Sequence, residues 1–190
     1  MKLFKTAAVA VALLTSSSVF AAPEKYTIDP THSFVQFKAS HMGFSWLIGR
    51  FNELEGELNF DDANISNSSV NVTINTGSLD SNHAKRNKHL KSDDYIDADK
   101  FPKATFKSNK VMQHGDDIMI SGDLTFHGVT KIMQIKAKLI GAGEDPWGGF
   151  RRGYEGVATI DKTAFGMKGK PGKPGNNVEL SLFIEAIKDK

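Results

Sequence analysis

Six histidines are the side chains of this 190-residue sequence best suited to metal or acid–base chemistry: His32, His41, His83, His89, His114 and His127. Their spacing argues against both uses. No His-Glu-x-x-His pattern occurs, and His83 and His89 flank a stretch holding Lys85, Arg86 and Lys88, whose charges disfavour protonation and metal capture alike. His32 and His41 stand nine apart on one expected strand and cannot easily share an ion. His41 differs from the rest because it continues the face that carries Val35, Phe37 and Ala39. There it serves either as a satisfied core histidine or as a polar contact in an apolar pocket. The carboxylate pairs Asp61/Asp62, Asp93/Asp94 and Asp116/Asp117 fall among turn residues, where neighbouring side chains point apart and make poor acid–base partners. Cysteine is absent, which excludes a thiolate nucleophile, a disulfide framework and a cysteine-ligated zinc site. There is no nucleophile elbow, phosphate loop or dinucleotide fingerprint, and Trp147-Gly148-Gly149-Phe150 reads as a turn between aromatics. The expectation is a protein without catalytic residues, metal or cofactor.

The elements that would position these residues are strands. Alternation with period two runs through Val35-Phe37-Ala39-His41, Leu54-Gly56-Leu58-Phe60, Val70-Val72-Ile74 and Ala104-Phe106-Ser108. It returns at Ile118-Ile120-Gly122-Leu124, Met133-Ile135-Ala137-Leu139, Ala158-Ile160 and Val178-Leu180-Leu182-Ile184. Such runs bury one face and wet the other, as antiparallel strands do. Turn residues separate them at 61–64, 114–117, 127–128 and Gly141-Ala142-Gly143. Two stretches break the pattern. Residues 82–95 are polar and favour a short helix, and residues 166–175 form a Lys/Gly/Pro loop expected to be mobile. The class predicted is all-β: one closed antiparallel barrel of about eight strands with a short helical excursion, a β-sandwich being the alternative. An eight-stranded barrel has room for a single enclosed ligand.

The first 22 residues read as a cleaved signal peptide, leaving residues 23–190 as the domain. Lys2 and Lys5 precede an apolar run at 6–14, and Val19-Phe20-Ala21 offers a small-residue cleavage pattern. The run is shorter than the roughly 20 residues a membrane span needs. Export to a bacterial periplasm as a soluble protein follows as the expectation, without stable membrane insertion. Removing Lys2 and Lys5 lowers the Lys+Arg count from 24 to 22, equal to the 22 Asp+Glu. A neutral mature chain carries no broad nucleic-acid footprint. Local basic clusters remain at Lys85/Arg86/Lys88/Lys91 and Lys168/Lys170/Lys173.

An ordered set of short motifs then identifies the sequence. Tyr26-Thr27-Ile28-Asp29-Pro30-Thr31-His32-Ser33, His41-Met42-Gly43 and Gly49-Arg50-Phe51 come first. Ser78-Leu79-Asp80-Ser81-Asn82, Arg86, His89-Leu90-Lys91-Ser92 and Phe101-Pro102-Lys103-Ala104-Thr105-Phe106 follow. Gly122-Asp123-Leu124-Thr125, Gly128-Val129-Thr130 and Asp145-Pro146-Trp147-Gly148-Gly149 close the set. Together they resemble the YceI-like family across nearly the whole mature chain, in its periplasmic, base-inducible type; Lys131 stands where that family commonly has proline. The resemblance implies a lipocalin-like barrel, a long apolar pore holding a polyisoprenoid chain, and a homodimer. The expected ligand is therefore an isoprenoid lipid, ubiquinone-like or polyprenyl. Its tail would be held by the inward residues Val35, Phe37, His41, Phe60, Val72, Ile74, Phe106, Ile120, Leu124, Ile135, Leu180 and Leu182. Its head group would meet Arg86 and His89 in the polar excursion. Two other readings remain: a filled barrel of structural or stress function, plugged by Phe37, Phe60 and Phe106, and a lipid-modifying enzyme.

Overall fold

A computed structural model describes residues 22–168 and 174–190. Residues 1–21 of the expected signal peptide and residues 169–173 of the 166–175 loop lie outside the described residues. Among the described residues, eleven strands form a single antiparallel sheet that closes on itself. They are β1 (Glu24–Ile28), β2 (Phe34–His41), β3 (Ser45–Phe51), β4 (Leu54–Phe60), β5 (Ser69–Asn75) and β6 (Leu79–Asp80), followed by β7 (Lys103–His114), β8 (Asp117–Phe126), β9 (Val129–Glu144), β10 (Phe150–Asp161) and β11 (Asn177–Lys188). The first six are three long strands, each interrupted once. The C-terminal half of β11 pairs with β1 (Tyr26 opposite Lys188), and its N-terminal half pairs with β2 (Leu180 opposite Phe37). In the same way β4 pairs with β1 while β3 pairs with β2, and β5 pairs with β4 while β6 pairs with β3. Counted so, the molecule is an eight-stranded meander barrel in which neighbours in sequence are neighbours in space. Closure removes the unpaired edges that an open sheet would expose.

The three interruptions lie side by side, and side chains satisfy the backbone groups they free. At the first, the Ser33 hydroxyl accepts from the Glu185 amide at 2.9 Å, and the Asp29 amide donates to the Glu185 carbonyl at 2.8 Å. At the second, the amides of Asn52 and Glu53 both donate to the Ser78 hydroxyl at 3.1 Å. At the third, Thr76, fully buried, donates from its hydroxyl to the Phe101 carbonyl at 2.7 Å.

The eight alternating runs of the sequence each fall on a different one of the eight barrel strands. Two expectations need correction. Gly141-Ala142-Gly143 is not a turn but lies inside β9, where none of the glycines takes a positive φ. The turn comes later, where the Asp145 amide donates to the Gly149 carbonyl at 2.8 Å and Gly148 adopts φ 80°. The connection at 61–64 is not a tight hairpin either, because it runs into a short 3-10 turn, Ile65–Asn67. The pair at 127–128 is a hairpin turn as expected, with φ of 50° at His127 and 75° at Gly128, the primed geometry that suits strand twist.

Helix α1 (Ala84–Lys91) and the turns after it cover one end of the barrel, pressing Leu90, Tyr95 and Ile96 towards the core. Its start is capped by His83, whose Nδ1 accepts from the Arg86 amide at 3.2 Å. Asn87 ties it to β6: its Oδ1 accepts from the Ser81 amide at 2.7 Å, and its Nδ2 donates to Asp80 at 2.8 Å. Among the described residues no helix is long and apolar enough to cross a membrane.

Candidate functional site

The barrel axis holds two cavities that meet at Leu180, which lines both. The inner one, about 120 Å³, is walled by apolar side chains from β2, β4, β5, β7, β8, β9, β10 and β11. A buried water needs about 10–15 Å³ and two or more polar partners, so a space of this kind favours apolar matter over water. The outer one, about 410 Å³, opens beneath α1 between Phe37, Leu47, Leu79, Leu90, Ile160 and Val178.

Period-two alternation puts these residues on the wall, since every second side chain of a barrel strand points inward. Val35, Phe60, Val72, Ile74, Phe106, Ile120, Leu124, Ile135, Leu180 and Leu182 line the inner cavity. Phe37 and His41 line the outer one, His41 at the exposed end of β2. The phenylalanines lie against the wall rather than across it. The Phe37 ring rests on Gly49 and the Phe106 ring on Gly122, where an added Cβ would come within 2.4 and 2.6 Å of the respective rings. Glycine on the neighbouring strand thus makes the space each ring occupies, and the axis stays open.

Arg86 and His89 are placed otherwise, and the head-group role expected of them loses its geometric basis. Neither lines either cavity. The Arg86 guanidinium turns back on its own loop, donating from Nε to the Ser81 hydroxyl at 2.8 Å and from a terminal nitrogen to the Ser81 carbonyl. His89 sits edge-on to Tyr95 with ring centroids 5.0 Å apart, and its Nε2 lies 3.5 Å from Asp94. The clamp on Ser81 follows from spacing: a long side chain on the first turn of a short helix reaches the residue just before its cap.

At the far end of the axis from α1 a buried charge closes the barrel. Arg152, 7% exposed, donates to the Tyr26 hydroxyl at 3.0 Å and to Asp62 at 2.5 Å. Its guanidinium lies over the rings of Phe60 (4.2 Å) and Tyr26 (5.4 Å). Burial disfavours the guanidinium charge, but the bonds to Tyr26 and Asp62 outweigh it and raise the pKa above the usual arginine value. Next along the same face stands Tyr154, on the wall of the inner cavity, with its ring 6.4 Å from that of Phe60. Neither residue is marked by the alternation pattern of the sequence. They keep the period-two spacing of Gly156, Ala158 and Ile160 on β10 but are polar, and the extra residue of the register shift beside them, Ile140, lies on β9.

Asp29, His32 and Glu185 offer three ligand atoms within 4.8 Å of one another. A fixed cation already occupies that place: Arg151 donates to Asp29 at 2.7 Å and to Glu185 at 2.6 Å, and also to Asp145 at 2.7 Å. The cluster joins the first strand interruption, the β9–β10 turn and β11. It is a fastening of the barrel.

Comparison with known proteins agrees with this architecture. The YceI-like domain model matches residues 26–186. A UPF0312 protein of Pseudomonas aeruginosa is 49% identical over 177 residues, 93% of each chain. Protein YceI of Escherichia coli is 44% identical over 178 residues, 94% of this chain and 93% of that one. Among solved structures, Burkholderia cenocepacia BcnA superposes with a TM-score of 0.74 at 22% identity, covering 83% of this chain and 98% of its own. A Saccharophagus degradans domain described as polyisoprenoid-binding gives 0.62 at 16% identity, covering 86% and 98%. With matched relatives along its length and the same closed barrel, this chain belongs to the YceI-like domain family.

Proposed function

We propose that this protein is an exported carrier that encloses the tail of an isoprenoid lipid along the axis of its barrel. One observation carries the reading: two apolar cavities meet end to end at Leu180 inside a closed sheet. The strands β10 and β11 have 12 residues each, so at a rise of about 3.3 Å per residue the walls extend roughly 40 Å along the strand, enough for an elongated chain. Burial supplies the affinity, at about 0.8 kcal/mol per methylene. The description of the Saccharophagus degradans domain as polyisoprenoid-binding supports the same ligand class. The lining also favours binding over catalysis. His41 is the histidine found on it among the described residues, and no carboxylate shares the outer cavity with it. A periplasmic location rests on the basic, apolar and small-residue order of residues 1–22. The test is organic extraction of the purified protein followed by mass spectrometry. A co-purifying isoprenoid supports the proposal. Protein that yields none, and takes up none when an isoprenoid is added, overturns it.

A further inference from the structure

The β2–β3 hairpin ends on an apolar tip that takes no part in the core. Met42 and Phe44 are 79% and 86% exposed, Trp46 and Ile48 are exposed behind them, and residues 39–49 contain no Asp, Glu, Lys or Arg. The tip stands clear of the sheet. On one side β2 pairs with β11 only as far as Ala39, and on the other β3 pairs with β6 only at Arg50 and Phe51. Met42 turns the chain at φ 56°, a left-handed conformation that Gly and Asn adopt far more readily. Turns of this kind are ordinarily polar, whereas a contiguous exposed apolar patch marks an interaction site.

The patch is graded along the hairpin. Cross-strand register sets Ser40 opposite Trp46, Lys38 opposite Ile48 and Gln36 opposite Arg50. At roughly 3.3 Å per residue, Trp46 lies about 7 Å behind Phe44, and the Lys38/Ile48 pair about 13 Å behind it. Charges of both signs stand at that base. The Lys38 ammonium is 2.9 Å from Glu179 and 4.3 Å from the centre of the Trp46 ring, and Arg50 is opposite Asp80 in the β3–β6 pair. Met42 also lines the outer cavity, so the tip borders its rim.

We propose that this tip is a membrane anchor, entering the interface of a phospholipid bilayer and setting the rim of the outer cavity against it. The order of side chains along the hairpin matches the order of chemistry across a lipid leaflet. A tip sunk by about 5–10 Å, as interfacial segments are, places Met42 and Phe44 among acyl chains and Trp46 at the polar boundary that tryptophan favours. The charges at the base then meet the phosphate and amine of zwitterionic head groups, each opposite its own counter-charge. A second copy of this chain fits less well. A stable dimer buries roughly 800 Å² per partner on a self-complementary face, and a projecting two-stranded tip is narrow and convex. The anchor does not depend on what the pore holds.

The experiment uses purified protein carrying Trp147→Phe, which leaves Trp46 as the sole tryptophan, and vesicles of phosphatidylcholine brominated on its acyl chains. Trp46 emission should shift to the blue and be quenched as vesicles are added. Adding Phe44→Ser should raise the vesicle concentration at half quenching about tenfold or more, the worth of moving one aromatic ring out of water. Its melting temperature should not change, since the ring is already exposed. Salt, or phosphatidylglycerol in the vesicles, should matter little, because the base carries both signs of charge. Trp46 emission that ignores the vesicles overturns the anchor. So does binding that vanishes in salt, which would assign it to the exposed Lys85 and Lys88 of α1. A doubled mass in light scattering without lipid, returned to the monomer by Phe44→Ser, would make the tip a contact between copies. A lowered melting temperature of Phe44→Ser would make the ring part of the fold. Each of these outcomes leaves the isoprenoid reading standing, which extraction tests separately.

Discussion

Residue by residue, the pore wall is the part of this molecule that sequence exposes best. An inward position on a barrel strand must be apolar and its neighbours need not be, so Val35, Val72, Ile120, Leu124 and Leu182 announce themselves by alternation, and all line the inner cavity. Ile120→Asp should therefore unfold at lower urea, by about 2–5 kcal/mol, and purify without lipid, because it places a charge among Ile118, Ile135 and Leu124. Unchanged stability and lipid content would show that position 120 does not face the pore. Arg152 and Tyr154 were not legible by the same rule. A charged residue and a polar ring contradict the apolar alternation, although both keep the period-two spacing of the inward face with Gly156, Ala158 and Ile160. Residues at which a pattern fails are where polar work is done inside an apolar barrel.

At the scale of elements, the eight strands were readable but their interruptions were not. β1, β3 and β6 are short or carry outward-facing apolar residues such as Trp46 (59% exposed) and Ile48 (50%), so they give no clean alternation. What fits them together is side-chain bonding at Ser33, Ser78 and Thr76, which composition does not reveal. Strand contacts also depend on glycine: a Cβ at Gly122 would lie 2.4 Å from the Lys107 carbonyl oxygen and 2.6 Å from the Phe106 ring. Gly122→Ala should cost about 1–3 kcal/mol in thermal or urea unfolding and push Phe106 into the cavity, lowering lipid content. Normal stability and content would mean that the two strands separate freely. The helical excursion was foreseen in place but not in role. Because Arg86 clamps Ser81, Arg86→Ala should lose about 1.5–3 kcal/mol of stability, the worth of hydrogen bonds from a charged donor, with little change in affinity for a neutral-headed isoprenoid. Undiminished stability with lost affinity would return the head group to α1.

Considered whole, the barrel is a closed ring whose closing joint is electrostatic. The motifs that carry the family resemblance at 26–33 and 145–149 line neither axial cavity; they supply Asp29, His32 and Asp145, which meet Glu185 around Arg151. The joint links chain ends more than 120 positions apart, Asp29 on the first interrupted strand with Arg151 on β10. Burial alone would raise the Asp29 pKa, but hydrogen bonds from Thr31, His32 and Arg151 hold it far below the usual carboxylate range. Asp145 is lowered in turn by Arg151 and by the amides of Gly149 and Trp147. A carboxylate whose pKa is lower in the folded than in the unfolded chain stabilises the fold above its unfolded value, near 4, and that contribution fades as pH falls towards the lowered folded value. Wild-type protein should accordingly lose stability steeply below about pH 4. In Arg151→Met the folded pKa values of Asp29 and Asp145 should climb back towards their unfolded ones, and the two carboxylates lose their shared cation. The variant should melt well below wild type at pH 7, and the gap should narrow as pH is lowered to about 3, where wild type is losing the same contribution. Melting curves taken across this range decide the matter. A gap of constant size at every pH would mean that Arg151 holds the barrel shut by packing, and that the carboxylates around it contribute nothing through their charge.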